Sequence, residues 1–266
     1  MLIAQISDCH VMAPGERFGG RLDSAAGLLA AVEAIEALTP RPELVLATGD
    51  LVNDGTAEQY EHLLALLGRI DIPLIPLMGN HDEAREFRRC FADRLADDDG
   101  VGSVDFTVDD HALRIIALDT TITGRHDGEL TDAQLAWLDA RLTEQRDRPT
   151  IVAQHHPPFR SGVRWMDRGA GFASGDAERA VLERHEQVEA VVAGHLHRPI
   201  VRRFAGTVAM TCPSTAAALD LDLVSDEPGY STEPTGFVLH DWNGDALTSH
   251  VVTIGEHARW TPEWAD

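Results

Sequence analysis

The stretch Gly79-Asn80-His81-Asp82 lies between a predicted strand and a predicted helix, and the rest of the chain is organised around it. The apolar run at residues 73–78 predicts a buried strand before it, and a helical pattern begins at Glu83. Asn80 offers a neutral carbonyl oxygen, His81 a proton that moves near neutral pH, and Asp82 a carboxylate that can orient the histidine ring. Because Gly-Asn is also common turn chemistry, a functional interpretation requires compatible residues in other loops.

The composition of the chain limits its class and its partners. Its 266 residues, with 44% hydrophobic and 25% charged residues, are typical of a globular protein with a large core. The formal charge of -22 disfavours nucleic acid and anionic membranes, which need clustered positive charge. No apolar run reaches the ~20 residues that span a bilayer, and the N-terminus shows no leader pattern. With three widely spaced cysteines as well, we expect a cytoplasmic protein with reduced thiols.

Alternating strand and helix patterns followed by a strand-rich C-terminal third predict a single mixed α/β domain, residues 1–266. The predicted strands are 2–7, 43–48, 73–78, 103–108, 112–118, 150–154, 188–193, 200–204, 207–211, 237–242 and 246–254, and the predicted helices are 24–38, 56–67, 83–95, 131–146 and 176–185. Asn243-Gly244 predicts a C-terminal hairpin at about 236–254. Residues 159–175 predict a long loop, and with 213–235 they are candidates for capping the substrate.

Short sequence motifs predict how two helices begin and where one turn lies. Thr56 with Gln59, and Thr131 with Gln134, have the spacing of capping boxes. The acidic residues at 97–100 predict a solvated turn.

Five predicted strand ends carry polar residues that suit a metal site. The loops are Asp8-x-His10, Gly49-Asp50, Asn80-His81, His155-His156 and His195-x-His197. Catalytic groups of α/β sheets gather at the carboxyl ends of strands, so we expect these loops to converge. We expect the remaining histidines to be exposed or structural; they are His62, His111, His126, His185, His240, His250 and His257.

The residue types in these loops indicate the kind of metal. Carboxylate, imidazole and amide ligands together suit Mn, Fe, Co or Zn, and the absence of a cysteine cluster argues against a closed structural zinc site. Seven candidate ligands are too many for one ion with an open position but suit two ions that share a carboxylate. Each loop alone also has an ordinary interpretation as a turn or capped strand end, so the hypothesis depends on the whole set.

In order and spacing, these motifs resemble the calcineurin-like metallophosphoesterase superfamily, which carries D-x-H, G-D, G-N-H-[DE], H and G-H-x-H. The resemblance extends from Leu2 to about Thr211 and is strongest to the bacterial branch of glycerophosphodiester phosphodiesterases and class III cyclic-nucleotide phosphodiesterases. It implies an α/β fold in which a β-sandwich of mixed sheets is flanked by helices (αββα). It also implies a dinuclear-metal-dependent phosphodiesterase that hydrolyses small phosphodiesters through attack by a metal-bound hydroxide.

The resemblance also implies roles for the site residues. One metal ion would be held by Asp8, His10, Asp50 and His197, and the second by Asp50, Asn80, His155 and His195. His81 would lie beside the phosphoryl group, stabilise its charge and protonate the leaving group. Asn53 would lie near the bridging carboxylate. His155 is preferred over His156 as ligand, and the roles of His156, Asp82 and Cys9 stay open, with packing or oxidation sensitivity as the alternatives for Cys9.

One departure from the wider superfamily bears on the substrate. The protein-phosphatase branch reads G-D-x-V-D-R-G, whereas residues 49–55 here read Gly-Asp-Leu-Val-Asn-Asp-Gly and lack the arginine. A site without it suits a singly charged diester better than a monoester. Candidates for leaving-group contacts in 159–175, unless they are simply solvated, are Arg160, Arg164, Trp165 and Arg168.

Other functions remain open at this stage. The alternatives are a phosphonate monoesterase or a nuclease of the same superfamily, or a non-catalytic scaffold. The expected partner is a small-molecule phosphodiester. A homo-oligomer is possible through the C-terminal hairpin with Trp242, which could equally complete the core.

Overall fold

The computed structural model describes residues 1–95, 102–258, 260–262 and 264, and two mixed β-sheets form its centre. In chain order, the elements are β1 (Leu2–Ile6), α1 (Ser24–Glu36), β2 (Leu44–Thr48), α2 (Ala57–Leu67), β3 (Leu74–Leu77), α3 (Ala84–Phe91), β4 (Phe106–Val108), β5 (Arg114–Leu118), α4 (Asp132–Glu144), β6 (Thr150–Gln154), α5 (Arg164–Gly169), α6 (Gly175–Leu182), β7 (Val188–Ala193), β8 (Val201–Phe204), β9 (Thr207–Thr211), β10 (Ala218–Leu219), β11 (Tyr230–Ser231), β12 (Gly236–Trp242) and β13 (Leu247–Thr253). A short 3-10 helix, Ala92–Arg94, follows α3.

The two sheets pack face to face. The first has the order β13-β12-β1-β2-β3 and the second β4-β5-β6-β7-β9-β8, while β10 and β11 form a separate ribbon. One apolar cluster contains Ile3 and Val45 from the first sheet together with Ile151 and Val192 from the second. Helices cover the outer faces, as shown by Leu138 of α4 packing in the cluster of the second sheet. The predicted fold, two mixed sheets between helices, is confirmed.

Strand direction brings the polar loops to one edge. Strands β1, β2 and β3 run parallel, and so do β5, β6, β7 and β9. The two parallel groups are joined near this edge, because Gln5 Nε2 donates to the carbonyl of Ala193 at 3.0 Å. The loops after β1, β2, β3, β6 and β7 therefore meet across the sandwich.

The segment 159–175 differs from its prediction as a long loop. It contains the short helix α5, and its final residue begins α6. The Asp167 carboxylate accepts the N–H groups of Ser161 and Gly162, and Val163 and Met166 are buried. A helix this short leaves too few apolar positions for a periodic signal, so the sequence pattern did not reveal it. The two-residue strands β10 and β11 escaped prediction for the same reason.

The local signals at the helix starts have different outcomes. Thr131 and Gln134 form the predicted reciprocal capping box. Thr56 caps α2, but the Gln59 carboxamide accepts the N–H of Asp54 instead of that of Thr56, so the second half of that box is wrong. Helix α3 ends at Phe91, before the predicted end at 95. The predicted acidic turn at 97–100 lies outside the described residues.

The C-terminal strands extend the first sheet. Strand β12 pairs with both β1 and β13, and β13 forms the edge. Trp242 is buried in the cluster between the sheets. In the part of the chain that the structure describes, no helix is long and apolar enough to cross a bilayer.

One buried acid lies beneath the second sheet. Glu178 of α6 is fully buried, and Gln154 Nε2 donates to one of its carboxylate oxygens at 3.3 Å. The other oxygen, Oε1, has no hydrogen-bond partner among the described residues. Burial raises the pKa of Glu178 to about 8.

We expect Glu178→Gln to remove a pH dependence of stability. Because the folded chain holds this proton more tightly than the unfolded chain, its contribution is full below the ordinary pKa of 4.5 and is lost as pH rises to about 8. At pH 9 the variant should be more stable than the wild type by on the order of a few kcal/mol, and at pH 5 the difference should be much smaller. Thermal melts at both pH values measure this. The exposed neighbour Glu183, changed to Gln, is the control, and identical pH profiles for wild type and Glu178→Gln would contradict the expectation.

Candidate metal centre

The residues that end β1, β2 and β7 adopt a backbone conformation that side chains rarely tolerate. Positive φ angles occur at Asp8 (51°), His10 (42°), Asp50 (50°), His195 (68°) and His197 (52°). The left-handed region costs on the order of 1–3 kcal/mol for such residues and persists only where the surroundings enforce it. Within the described ranges, the one other non-glycine residue of this kind is Ala205, in the β8–β9 turn. Strain in this chain is therefore concentrated in the predicted ligand loops.

Hydrogen bonds between the loops hold this conformation. The Asp8 N–H donates to the Gly49 carbonyl at 3.0 Å, and the His10 N–H to the Asp50 carbonyl at 2.9 Å. The His195 N–H donates to the Asp8 carboxylate at 3.0 Å. Main-chain N–H groups thus connect the loops of both sheets. The imidazole rings are not used in these bonds and can point inward.

Gly79 allows one of the close approaches between these loops. A Cβ atom there would lie 2.2 Å from the backbone nitrogen and from Oδ1 of Asp50. The His81 N–H, two residues later, donates to Asp50 Oδ1 at 2.9 Å. The glycine of the G-N-H-D stretch is required because the turn after β3 packs directly on the Asp50 carboxylate.

Around His155, three potential ligand atoms lie close together, and none of them carries a proton when the ring is neutral. His155 Nε2 lies 3.3 Å from Asp50 Oδ2 and 3.2 Å from Asn80 Oδ1. His155 Nδ1 lies 2.8 Å from the Thr48 carbonyl, which only accepts, so Nδ1 carries the proton of the neutral ring. Its Nε2 lone pair then faces two oxygen atoms, an arrangement that needs a proton or a cation between them.

A second convergence surrounds His10 and His197. Their Nε2 atoms are 3.1 Å apart, and they lie 3.6 Å from Asp50 Oδ2 and Asp8 Oδ1, respectively. His197 Nδ1 donates to the Ala217 carbonyl at 2.8 Å, which leaves its Nε2 as a lone pair. His10 Nδ1 is buried without a partner among the described residues. The donor atoms of this cluster therefore also suit a cation.

The clusters of potential ligands share members. Groups whose ligand atoms all lie within 4.8 Å of one another are Asp8-His10-His197, His10-Asp50-His81, Asp8-Asp50-His155 and His155-His156-His195. Asp50 belongs to two of these groups and faces both convergences. The donor set of imidazole and carboxylate groups therefore fits a metal ion on each side of Asp50.

The two adjacent histidines have different environments. His156 Nε2 donates to the His126 carbonyl at 3.1 Å, and the Thr120 hydroxyl lies 2.8 Å from its Nδ1. Both ring nitrogens of His156 are therefore occupied. The Nε2 atom of His155 has no such partner, which favours His155 over His156 as the ligand.

Asp82 does not orient His81, so that interpretation is wrong. The Asp82 carboxylate accepts the N–H groups of Gly79 and Leu51 at 2.9 and 3.1 Å and the Tyr60 hydroxyl at 2.9 Å. It braces the turn after β3 because its side chain points back toward the strand ends. His81 Nδ1 instead donates to the Asn53 carbonyl at 2.7 Å.

Asn53 reaches the site through this main-chain oxygen. Its carboxamide donates to Asp54 Oδ1 at 3.0 Å. The contact that the structure provides from Asn53 to His81 thus depends on the backbone and not on the side chain.

His126 belongs to the site, although its sequence context predicts an exposed or structural histidine. Its Nδ1 lies 3.1 Å from Asn80 Nδ2, and its ring centroid lies 5.4 Å from that of His81. Since the Asn80 amide nitrogen only donates, His126 accepts, and Asn80 Oδ1 is turned toward His155. His126 follows no predicted strand, so its position could not be recognised from the sequence.

Of the four residues in the 159–175 segment that were candidates for contacting a leaving group, three do not line the cavity over the two clusters. The cavity over the two clusters has a volume of about 400 Å³. It is lined by His10, Asp50, Asn80, His81, His126, Trp165, Met166, Gly169, Ala170, His195, His197 and Tyr230. Arg164 and Arg168 pair with Asp226, and Arg160 lines a different cavity, so of the four candidates only Trp165 is placed to contact a leaving group.

Sequence comparison shows the family of the chain. The sequence model described as calcineurin-like phosphoesterase matches residues 1–199. The chain belongs to this family. The match confirms the family and the phosphoesterase class that the motifs predicted.

Relatives and solved structures agree with this membership. A glycerophosphodiester phosphodiesterase, GpdQ, of Enterobacter lignolyticus is 30% identical over 261 residues, covering 97% of this chain and 93% of its own length. The 3',5'-cyclic adenosine monophosphate phosphodiesterase CpdA of Pseudomonas aeruginosa is 31% identical over 236 residues, covering 86% of this chain and 84% of its own. A dimetal phosphatase from Danio rerio superposes with a TM-score of 0.67 at 17% identity, covering 96% of this chain and 99% of its own, which shows a shared fold.

The electrostatics of this family member suit metal binding. Burial lowers the pKa of His195 to about 3 and that of His10 well below its ordinary value, so both rings are neutral, the form that can bind a metal ion. For His155 burial acts downward, but the Asp50 carboxylate overcomes it and raises the pKa to about 9. A cation between these two groups therefore competes with one proton.

Cys9 has a structural environment. Its side chain is buried, and burial raises the pKa of its thiol to about 12. A buried, protonated thiol is a poor nucleophile, which favours packing over oxidation sensitivity.

We expect His126→Ala to weaken the binding of a divalent cation at Asn80 and His155. Without the acceptor on its amide nitrogen, Asn80 is free to turn its oxygen away, and losing such support typically costs about 10–100-fold in affinity. Calorimetric titration of metal-free protein with Mn²⁺ measures this. Asp50→Ala should remove both binding events, and the exposed His250→Ala should change neither. Wild-type affinity at both positions in His126→Ala would contradict the role of His126.

Proposed function

We propose that this chain is a dinuclear-metal phosphodiesterase that hydrolyses small diesters of the glycerophosphodiester or cyclic-nucleotide type. The observation that carries the proposal is the pair of unsatisfied ligand clusters on either side of Asp50, at the base of a 400 Å³ cavity. The names of the relatives support a diester as the substrate class. The phosphonate monoesterase alternative needs the same singly charged phosphoryl group, so both share one test.

We assign the ligands to two ions. Asp8, His10, Asp50 and His197 hold the first, and Asp50, Asn80, His155 and His195 hold the second. His195 Nε2 lies 2.7 Å from the Ala170 carbonyl, so its Nδ1 is the atom left for a ligand bond. Mn, Fe, Co and Zn all accept this mixture of imidazole, carboxylate and amide groups. When bound, two such ions neutralise the phosphate and lower the pKa of a coordinated water.

His81 is the residue proposed to act on the substrate. Its Nδ1 is fixed on the Asn53 carbonyl, its ring packs edge-on against His10 at 4.7 Å, and it lines the cavity. Its Nε2 is left for the phosphoryl group, where a protonated ring stabilises negative charge and donates a proton to the leaving oxygen. Asn53 acts here by orienting the ring.

The cavity supports a diester over a monoester. Across the part of the chain that the structure describes, no arginine lines it, in agreement with the arginine missing from residues 49–55. A doubly charged monoester would lack the guanidinium partner that such groups favour. The singly charged diester needs only the metal ions and His81.

The other functions have less support. The charge of -22 disfavours nucleic acid and membrane partners, and with them a nuclease. A non-catalytic scaffold would not need every ligand position filled, nor strained backbone at five of them. Three free cysteines support a reducing cytoplasm. A homo-oligomer remains a proposal: edge strand β13 exposes Val251, while Trp242 belongs to the core.

A substrate panel tests the proposed function. Protein reconstituted with Mn²⁺ should hydrolyse glycerophosphodiesters or cyclic nucleotides faster than the matching phosphomonoesters, because the cavity offers no cation for a second negative charge. Phosphonate monoesters in the same panel distinguish the alternative reaction. Diester rates that do not exceed monoester rates would overturn the proposal.

We expect His81→Ala to lower turnover of the preferred diester by about 10²–10⁴, the usual contribution of a positioned acid or base. Metal content should remain two ions per chain, since the ligand set does not require this ring. Elemental analysis and steady-state kinetics on the same preparation separate the two effects. Loss of one metal ion would instead make His81 a ligand.

A further inference from the structure

Two aromatic side chains form the walls of the cavity beside the metal centre. Trp165 projects from α5 and packs against the apolar cluster of Val163, Met166 and Leu196. Tyr230 belongs to β11, and half of its surface is exposed. Its ring lies edge-on to Phe18 at 5.4 Å and 5.6 Å from the ring of His197. Both walls thus adjoin the ligand clusters.

Ion pairs, here called the clamp, connect α5 with the segment before β11. Arg164 and Arg168 flank Trp165 on α5, and they reach Asp226 at 3.3 and 2.8 Å, respectively. Arg164 also donates to the Val224 carbonyl at 2.7 Å. Exposed pairs contribute little to global stability, but two arginines on one carboxylate restrict how the two segments sit. The clamp therefore fixes α5, which carries Trp165, to the loop that precedes Tyr230.

The rest of the lining offers little to a polar ester group. Beyond the ligand clusters, His81 and His126, it consists of Trp165, Met166, Gly169, Ala170 and Tyr230. None of these carries a charge at neutral pH, and the polar side-chain groups among them are the indole N–H of Trp165 and the hydroxyl of Tyr230. Glycerol hydroxyls gain few partners here, whereas a flat ring gains stacking on aromatic walls.

We propose that Trp165 and Tyr230 form a ring-binding subsite, so that this chain prefers diesters bearing a nucleoside over glycerol diesters. The inference rests on the proposed function for the reaction, but the subsite can be tested by binding alone. The subsite recognises the flat aromatic base and leaves the phosphoryl group to the metal centre.

Binding of two phosphomonoester products isolates the ring. Adenosine 5'-monophosphate and glycerol 3-phosphate share the phosphoryl group and differ in the base. On metal-loaded protein, Trp165→Ala should weaken calorimetric binding of the nucleotide by about 10-fold, in the range of base stacking on one aromatic ring. Binding of glycerol 3-phosphate should not change, and Trp165→Phe should restore most of the nucleotide affinity. An equal loss for both ligands, or no loss for the nucleotide, would overturn the subsite.

The clamp has its own matched pair of variants. Asp226→Asn removes the carboxylate that both arginines share, and Glu227→Gln removes the same charge from the exposed neighbouring residue. We expect Asp226→Asn to lower nucleotide affinity by about 3-fold and Glu227→Gln to leave it unchanged. Equal effects of the two variants would overturn the role of the clamp.

Turnover separates this inference from the proposed function. If nucleotide binding depends on Trp165 while metal-loaded protein hydrolyses no diester, the proposed function fails and the subsite stands. If diesters are hydrolysed while Trp165→Ala binds both products as the wild type does, the function stands and the subsite fails.

Discussion

The structure depends on the Asp50 carboxylate, on which the loops of both sheets converge. One oxygen accepts the His81 N–H, and the other faces the Nε2 atoms of His155 and His10 at 3.3 and 3.6 Å. Burial acts to raise its pKa, but the surrounding histidines overcome this and hold the pKa well below its ordinary value. A buried carboxylate between lone pairs is tolerable only with positive charge on either side.

The two sheets together place the residues that surround Asp50. Parallel strands place Asp8 and Asp50 from one sheet beside His155 and His195 from the other, and the chain turns through positive φ angles after β1, β2 and β7. Each of these turns is costly, and hydrogen bonds between neighbouring loops, one of them between the two sheets, hold it. The free energy gained by burying the core between the sheets offsets the cost of these strained turns.

The walls of the cavity differ in residue type from its base at the ligand clusters. The base consists of imidazole and carboxylate groups, and the walls are aromatic or small and carry no arginine among the described residues. The arginines near the mouth are used in the clamp to Asp226. In the function proposed for this chain, the metal centre recognises the phosphoryl charge and the walls recognise the group esterified to it.

The sequence by itself determined the strands of the two main sheets, the five loops and the seven candidate ligands, because apolar runs and turn residues are local and the loops follow the strands directly. It could not place His126, since that residue reaches Asn80 from a loop 46 positions away that carries no pattern of its own. It misassigned Asp82, because the direction of that side chain depends on the packing of β3 against the strand end at Leu51. It offered Arg164 and Arg168 to the substrate, whereas a carboxylate about 60 residues later, Asp226, pairs with both. Contacts between distant segments are set by how the sheets and their connections pack, and only the tertiary structure decides them.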